Sequence, residues 1–143
     1  MHFLHEIDYP PNSLIITMQK EVADRILARD GKHSVLSLAC HLVADIKKIC
    51  DINPNNFIPA PKVWSTCLRF DIKHLTDRDV NKKMLMLIKQ GFAQKRKKLS
   101  SNLIHAGYDQ RNVFEAFLTT KLSENSRAED LSLEEWRILT QML

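Results

Sequence analysis

Residues 65–72 carry the clearest strand pattern in the chain. Leu68 and Phe70 fall on one side of the pattern and Arg69 lies between them on the other. A period of two is what a half-buried β-strand requires, so a strand is predicted here. Two β-branched or apolar runs predict the remaining strands, over residues 14–17 and 43–52.

Helical spacing separates and follows these strands. Short amphipathic helices are predicted over residues 19–28 and 35–42, and the second half of the chain is helical throughout. Four helices are predicted there. The first begins at a cap at Thr76 or Asp77 and ends at Gly91, and the second runs from Phe92 through Leu103 and is stopped by Gly107. The third covers residues 113–122, and a last helix follows it. The last helix has the sharpest start, because Ser132 and Glu135 form a capping box.

The fold class that these elements predict is α+β. A partial α/β lobe of about three strands is expected over residues 1–75, and an all-α lobe of about four helices over residues 76–143.

Composition narrows the possible classes of protein. A hydrophobic fraction of 44% over 143 residues is enough for a compact core. The apolar runs fall far short of the roughly 20 residues that a membrane span needs, so no membrane is expected and the location is predicted to be cytoplasmic. Cys40, Cys50 and Cys67 are odd in number and scattered, which indicates reduced, partly buried thiols rather than a disulfide framework or a zinc site.

Positive charge is concentrated in one acid-free segment. The net charge is only +4, but no Asp or Glu occurs between Asp79 and Asp109. The basic residues in that interval are Lys82, Lys83, Lys89, Lys95, Arg96, Lys97 and Lys98. Such a segment can neutralise phosphates and release counterions, which predicts a polyanion partner. The alternative is a solvated helix face, since four successive residues point around a helix axis.

Residues 56–65 read Asn-Phe-Ile-Pro-Ala-Pro-Lys-Val-Trp-Ser. This segment resembles the loop-and-strand motif of the adenine dimethyltransferases that modify small-subunit rRNA, and of the related erythromycin-resistance methylases. Their pattern is Phe-x-Pro-x-Pro-Lys-Val, then a small or acidic residue, then Ser. The departure is Trp64, where the family usually carries Asp or Asn. Residues 18–26 and the basic residues 92–103 are similar to two further family helices.

The resemblance implies a partial Rossmann-like sheet and an RNA partner, small-subunit rRNA. It implies a target adenine turned out of the RNA, with Phe57 at the stacking position; the alternative is that Phe57 fills a gap beneath the loop. Pro59 and Pro61 are expected to stiffen the loop, and Lys62 either meets a phosphate or is solvated. The RNA-binding candidates are Lys62, Lys89, Lys95, Arg96, Lys97 and Lys98. Arg96 is the leading one, because a guanidinium pairs a phosphate bidentately.

The resemblance also implies S-adenosylmethionine as the methyl donor of the complete family enzyme. The donor site of that family rests on a glycine-rich turn, whereas this chain has three isolated glycines, Gly31, Gly91 and Gly107. We therefore expect no bound cofactor, no metal and no complete catalytic set in this chain, which would be an rRNA-binding C-terminal portion inactive alone. A homodimer through an exposed sheet edge near Leu14, or a complementing N-terminal methyltransferase part, is a possible partner. The alternative function is a repurposed protein-interaction or homo-oligomeric module that keeps the fold without RNA or methyl-donor binding.

Overall fold

The computed structural model describes residues 11–28, 32–73 and 78–143. The elements in chain order are β1 (Ser13–Gln19), α1 (Lys20–Leu27), α2 (Val35–Val43), β2 (Ala44–Ile52), β3 (Ser65–Ile72), α3 (Arg78–Gly91), α4 (Leu99–His105), α5 (Gln110–Thr119) and α6 (Leu133–Met142). Short 3₁₀ turns lie at Pro54–Asn56 and Ala128–Asp130. The predicted α+β class is confirmed, while the caps proposed at Thr76 and Asp77 lie outside the described residues.

The described residues group into two compact units. The first unit holds residues 11–28 and 36–73, and the second holds residues 32–35 and 78–143. Within the described ranges, no helix combines the length and the apolarity needed to cross a bilayer. The assignment of one part as methyltransferase-like and the other as rRNA-binding stays a prediction.

The first unit is built on a three-stranded sheet in the order β1-β3-β2. Both outer strands pair antiparallel with β3, so β1 and β2 run in the same direction. The predicted alternation is confirmed, since Leu68 and Phe70 are buried and Arg69 between them is exposed. A register shift between Lys48 and Cys50 marks a bulge in β2. The Rossmann-like character of the sheet stays a prediction.

Helices α1 and α2 supply apolar side chains to the core of the first unit. The contributing residues are almost completely buried: Ala23, Ile26, Leu38, Leu42 and Val43. On its exposed side α1 carries two pairs at i,i+4 spacing, Lys20 with Asp24 at 3.1 Å and Arg25 with Glu21 at 3.0 Å. Such pairs support a short helix by a few tenths of a kcal/mol each, roughly, so burial is the larger contribution.

The second unit is helical, and its core lies among α3, α4, α5 and α6. The fully buried side chains there include Met84, Ile88, Leu103, Val113, Trp136 and Leu139. The predicted capping box at the start of α6 is confirmed: Ser132 Oγ accepts from Glu135 N at 3.3 Å, and Glu135 Oε2 accepts from Ser132 N at 2.7 Å. Asp109 caps α5 by accepting from Arg111 N at 2.9 Å.

The predicted basic helix is wrong over its first half. Residues 92–98 form a turn, and α4 begins only at Leu99, with Lys98 as an extended N-cap residue at φ −61° and ψ 146°. Phe92 N still makes the helical hydrogen bond to the Ile88 carbonyl at 3.0 Å, and the break follows where the Gly91 carbonyl accepts instead from Asn102 Nδ2 at 2.6 Å. The Phe92 ring stacks against Trp136 with centroids 6.3 Å apart. Similarly, α5 ends before the predicted residue 122, because Lys121 takes the left-handed conformation at φ 55°.

Candidate nucleic-acid interface

The proline loop, residues 53–64, joins β2 to β3 in the first unit. Its opening is a tight 3₁₀ turn in which Asn53 Oδ1 accepts from Asn55 N at 2.9 Å. Phe57 N then donates to the carbonyl of Pro54 at 3.1 Å. These two local hydrogen bonds order the backbone up to Phe57, as expected for an Asn-Pro turn.

The side chains of the proline loop face solvent to different degrees. Phe57 is half-buried, so part of its ring stays accessible, and the next residue, Ile58, is fully exposed. Pro59, Pro61 and Lys62 are exposed, and the Ile58–Pro59 peptide is cis. A half-buried aromatic on an ordered loop suits stacking against a base, and the stacking role itself stays a prediction.

A charged network holds the two ends of the proline loop. Thr66 Oγ1, on a fully buried residue, donates to Asp51 Oδ1 at 2.6 Å, and Lys48 Nζ donates to Asp51 Oδ2 at 2.6 Å. Lys20 Nζ lies 4.0 Å from the same oxygen, and Lys20 N donates to the carbonyl of Trp64 at 2.9 Å. The end of β2, the start of β3 and the start of α1 are thereby tied together.

The environment of Asp51 favours its charged form. The hydrogen bond from Lys48, and next the one from Thr66, hold the pKa of Asp51 below its ordinary value of 3.8, against a smaller opposing effect of burial. Asp51 is not among the residues that the sequence patterns single out. The available signal was an acidic side chain near a strand end, three residues before the first proline, Pro54.

The basic turn, residues 92–98, lies in the second unit. Its backbone is closed by two hydrogen bonds, from Ala93 N to the Gln90 carbonyl at 3.1 Å and from Lys97 N to the Gln94 carbonyl at 3.0 Å. The cations that the sequence singled out here are all exposed, and they are Lys95, Arg96, Lys97 and Lys98. Lys89, near the end of α3, is exposed as well. Within residues 78–143 none of these five side chains forms a salt bridge.

A buried asparagine donates hydrogen bonds to the backbone of the basic turn from the protein interior. Asn102 is 4% exposed, and its Nδ2 donates to the carbonyl of Gly91 at 2.6 Å and to that of Gln94 at 3.2 Å. A Cβ on Gly91 would lie 2.4 Å from Trp136 Cη2, which is closer than such atoms approach. Leu99 N donates to the carbonyl of Ser126 at 2.9 Å and anchors the far end. The turn is therefore held in one conformation by interior groups.

The sequence analysis did not assign Asn102 a role. Its signal was a polar residue at a core position, between Leu99 and Leu103 on a helix whose other buried positions are mostly apolar. Buried polar groups keep hydrogen-bond partners, so an amide there predicts specific acceptors nearby.

The cysteines differ in exposure. Cys40 is buried, Cys67 is half-buried and Cys50 is exposed, so the expectation of partial burial is wrong for Cys50. Burial raises the pKa of the Cys40 thiol to about 11. In the part of the chain that the structure describes, no group of three or more His, Cys, Asp or Glu side chains is arranged to hold a metal.

The fold is similar to part of two solved transferase structures. A dimethyladenosine transferase from Plasmodium falciparum superposes with a TM-score of 0.78 at 20% identity, covering 96% of this chain and 60% of that one. The 23S rRNA methyltransferase ErmE superposes with a TM-score of 0.70 at 18% identity, covering 92% of this chain and 55% of that one. At these identities the likeness establishes the fold alone.

The sequence establishes the family. The profile of the ribosomal RNA adenine dimethylase family matches residues 1–143, so the chain belongs to that family. The ribosomal RNA small subunit methyltransferase A of Desulfitobacterium hafniense is 34% identical over 145 residues, covering 99% of this chain and 52% of the relative. That of Thermosynechococcus vestitus is 38% identical over 136 residues, covering 91% and 50%. The chain thus spans about half the length of these curated relatives.

Proposed function

We propose that this chain is the rRNA-contacting C-terminal portion of an rRNA adenine dimethyltransferase, with small-subunit rRNA as its partner. The observation that carries the proposal is the basic turn, a set of adjacent exposed cations on a backbone held by buried Asn102. The chain's membership of the adenine dimethylase family supports the choice of partner.

The basic turn suits a phosphate backbone for two reasons. Among residues 11–28, 32–73 and 78–143, no acid forms a salt bridge with Lys95, Arg96, Lys97 or Lys98, so their charge is available to RNA at little cost. Each phosphate that they neutralise releases counterions, which drives association and makes it depend on salt. Arg96 is the residue best suited to a bidentate contact with one phosphate. Lys89 in the same unit is a further candidate for this contact, and Lys62 on the proline loop of the first unit is a separate one.

The proline loop supplies the second element of the proposal. In the proposed complex the target adenine leaves its stack and lies against the ring of Phe57, while Pro59 and Pro61 keep the loop rigid. Stacking on an aromatic side chain contributes about 1–3 kcal/mol per base. The Asp51 network at the base of the loop then acts as a positioning group, since it holds both ends of the segment that carries Phe57.

The experiment compares Phe57→Ala with Ile58→Ala in binding to a small-subunit rRNA hairpin that carries 2-aminopurine at the candidate adenine. Phe57→Ala should weaken binding by about fivefold to a hundredfold and should abolish the quenching of the 2-aminopurine fluorescence. Ile58→Ala is the matched control, because Ile58 is the fully exposed neighbour on the same loop. Equal, small effects of both substitutions would mean that Phe57 only packs beneath the loop.

S-adenosylmethionine is the donor in the complete family enzyme, and we propose that the chain alone does not bind it. Of the described glycines, Gly91 packs against Trp136 and Gly107 follows α4 with φ +101°. Neither lies in a turn after a strand, where the backbone could approach a nucleotide-like donor closely. These residues do not fit a donor site, so the chain alone would be inactive. Calorimetry is expected to give no micromolar binding, and a micromolar dissociation constant would refute this part.

The sheet edges suggest a further partner. Within the described residues, β1 pairs on one side only, and its Ile15 side chain is 64% exposed. A single-sided strand offers unpaired backbone groups, so the proposed partner is a second copy of the chain or a complementing N-terminal methyltransferase part. Light scattering should then show self-association that Ile15→Lys suppresses. A monomer at high concentration would contradict the homodimer.

A protein-interaction module without RNA affinity was the alternative from the sequence, and the family match does not favour it. A cytoplasmic location stays a prediction.

A further inference from the structure

Two cysteines of the first unit lie directly opposite each other in neighbouring strands. Cys50 of β2 pairs with Cys67 of β3, and the ladder continues regularly from them through the pairs Asp51 with Thr66 and Ile52 with Ser65. This pairing is not apparent from the sequence, because the proline loop separates the two cysteines along the chain. Antiparallel pairing alone therefore brings the thiols together.

The pairing geometry meets the requirement for a disulfide. Directly opposed residues of an antiparallel pair have Cα atoms about 4.5–5.5 Å apart and side chains on the same face. Disulfides form between Cα atoms about 4.4–6.8 Å apart. The face in question is the solvent side of the sheet, since the buried residues Thr66 and Leu68 flank Cys67 on the other face.

Accessibility separates this pair from the third cysteine. Cys50 is exposed and Cys67 is half-buried, whereas Cys40 is buried. A thiol must reach its oxidant as the thiolate, which burial opposes at Cys40. The chain thus contains two accessible apposed thiols and one interior thiol that serves as an inert reference.

We propose that Cys50 and Cys67 form a reversible dithiol–disulfide site, whose oxidant is a low-molecular-weight disulfide such as oxidised glutathione. The Cys50 thiolate attacks one sulfur of glutathione disulfide, forming a mixed disulfide and releasing one glutathione thiolate. The Cys67 thiolate then attacks the sulfur of Cys50, forming the Cys50–Cys67 bond and releasing the second glutathione. Both protein thiols lose their protons, and glutathione disulfide is reduced to two molecules of glutathione.

The bond would close a covalent ring around the proline loop. Cys50 directly precedes Asp51, and Cys67 directly follows Thr66, so the cross-link lies beside the hydrogen bond that already ties the loop ends. Oxidation would restrict the unfolded and loosened states of the loop. This inference uses only the sheet register and cysteine exposure, so it stands or falls separately from RNA binding.

The test incubates the full chain with a defined ratio of reduced to oxidised glutathione, then traps it with acid and alkylates it for mass spectrometry. We expect wild type to lose the mass of two hydrogen atoms and to yield a linked pair of tryptic peptides, residues 49–62 with residues 63–69. Aligned thiols exceed the roughly millimolar effective concentration of a flexible tether, so at roughly millimolar glutathione the internal disulfide should exceed the mixed one about tenfold.

Matched variants identify the atoms involved. Cys50→Ser and Cys67→Ser should each stop at the mixed disulfide and retain one glutathionyl group, while Cys40→Ser should behave as wild type. Mixed disulfide on wild type at the level seen in Cys67→Ser would overturn the proposal, as would linkage to Cys40 or between two chains. Peptide mapping of wild type decides the question even where a serine variant folds poorly.

Discussion

The two units use their basic side chains differently. Among the described residues of the first unit, six cations form salt bridges: Lys20, Arg25, Lys47, Lys48, Arg69 and Lys73. Among the described cations of that unit, Lys62, on the proline loop, is the one that forms no salt bridge. In the described part of the second unit, the adjacent cations of the basic turn form no salt bridge.

The difference teaches that charge density along a sequence is not the same as charge available to a ligand. A paired cation must give up its carboxylate before it gains a phosphate, and for exposed pairs such as these the exchange costs about 0–1 kcal/mol each. An unpaired cation on an ordered turn has no such exchange to make. Among the described residues, the cations without a salt bridge include Lys62, Lys89 and the basic turn, which the family resemblance indicates for RNA contact, and also others that it does not indicate, such as Lys121 and Arg111.

The largest effect is expected from breaking the frame of the basic turn without touching its charge. Gly91→Ala would place a Cβ 2.4 Å from Trp136 Cη2 and 2.8 Å from Leu99 Cδ1, so one of these fully buried groups or the backbone would have to shift. Overpacking of this kind costs about 1–3 kcal/mol. Hydrogen exchange should show lower protection in the second unit. Ser101→Ala, at an exposed site on α4, is the control and should change little.

A somewhat smaller effect is expected from Asn102→Ala. The substitution leaves the carbonyls of Gly91 and Gln94 without their side-chain donor, at a cost of about 1–2 kcal/mol. The turn should loosen while its charges remain, so RNA affinity should fall with an almost unchanged salt slope. Unchanged protection of the turn amides in this variant would show that Asn102 does not hold the turn.

The smallest effect is expected at the Asp51 network of the first unit, where the cations are paired. Because the pKa of Asp51 is lowered in the folded state, its network stabilises the first unit above the unfolded pKa, near 3.8, and the stabilisation is lost as pH falls through the folded pKa. Asp51→Asn should remove this part of the acid sensitivity. Titration of the Asp51 carboxyl by NMR measures it directly, and a midpoint at or above 3.8 would contradict the assigned role.

Local patterns in the sequence predict much of the fold. The alternation around Leu68 and Phe70 gives β3, and the box formed by Ser132 and Glu135 gives the start of α6, because both signals are complete within a few neighbouring residues. The turn at residues 92–98 could not be predicted in the same way. It is held by contacts with Asn102 and Trp136, which lie outside the local pattern of the segment.

In the candidate site, too, local motifs can be predicted from the sequence and long-range contacts cannot. Phe57 and the basic residues are visible as motifs, so their candidacy needs no structure. Asn102 and Asp51 act through contacts with Gly91 and Thr66, which only the folded chain brings together. The opposition of Cys50 and Cys67 depends on strand register, which a bulge after Lys48 shifts by one residue.

The most direct test of the central claim is the salt dependence of binding to a small-subunit rRNA fragment. It compares two double variants that remove equal charge, Arg96→Gln with Lys97→Gln and Lys47→Gln with Arg69→Gln. If unpaired cations hold the RNA, the slope of log K against log salt should fall by about 2 in the first variant and stay near wild type in the second. Equal slopes in the two variants would contradict the account.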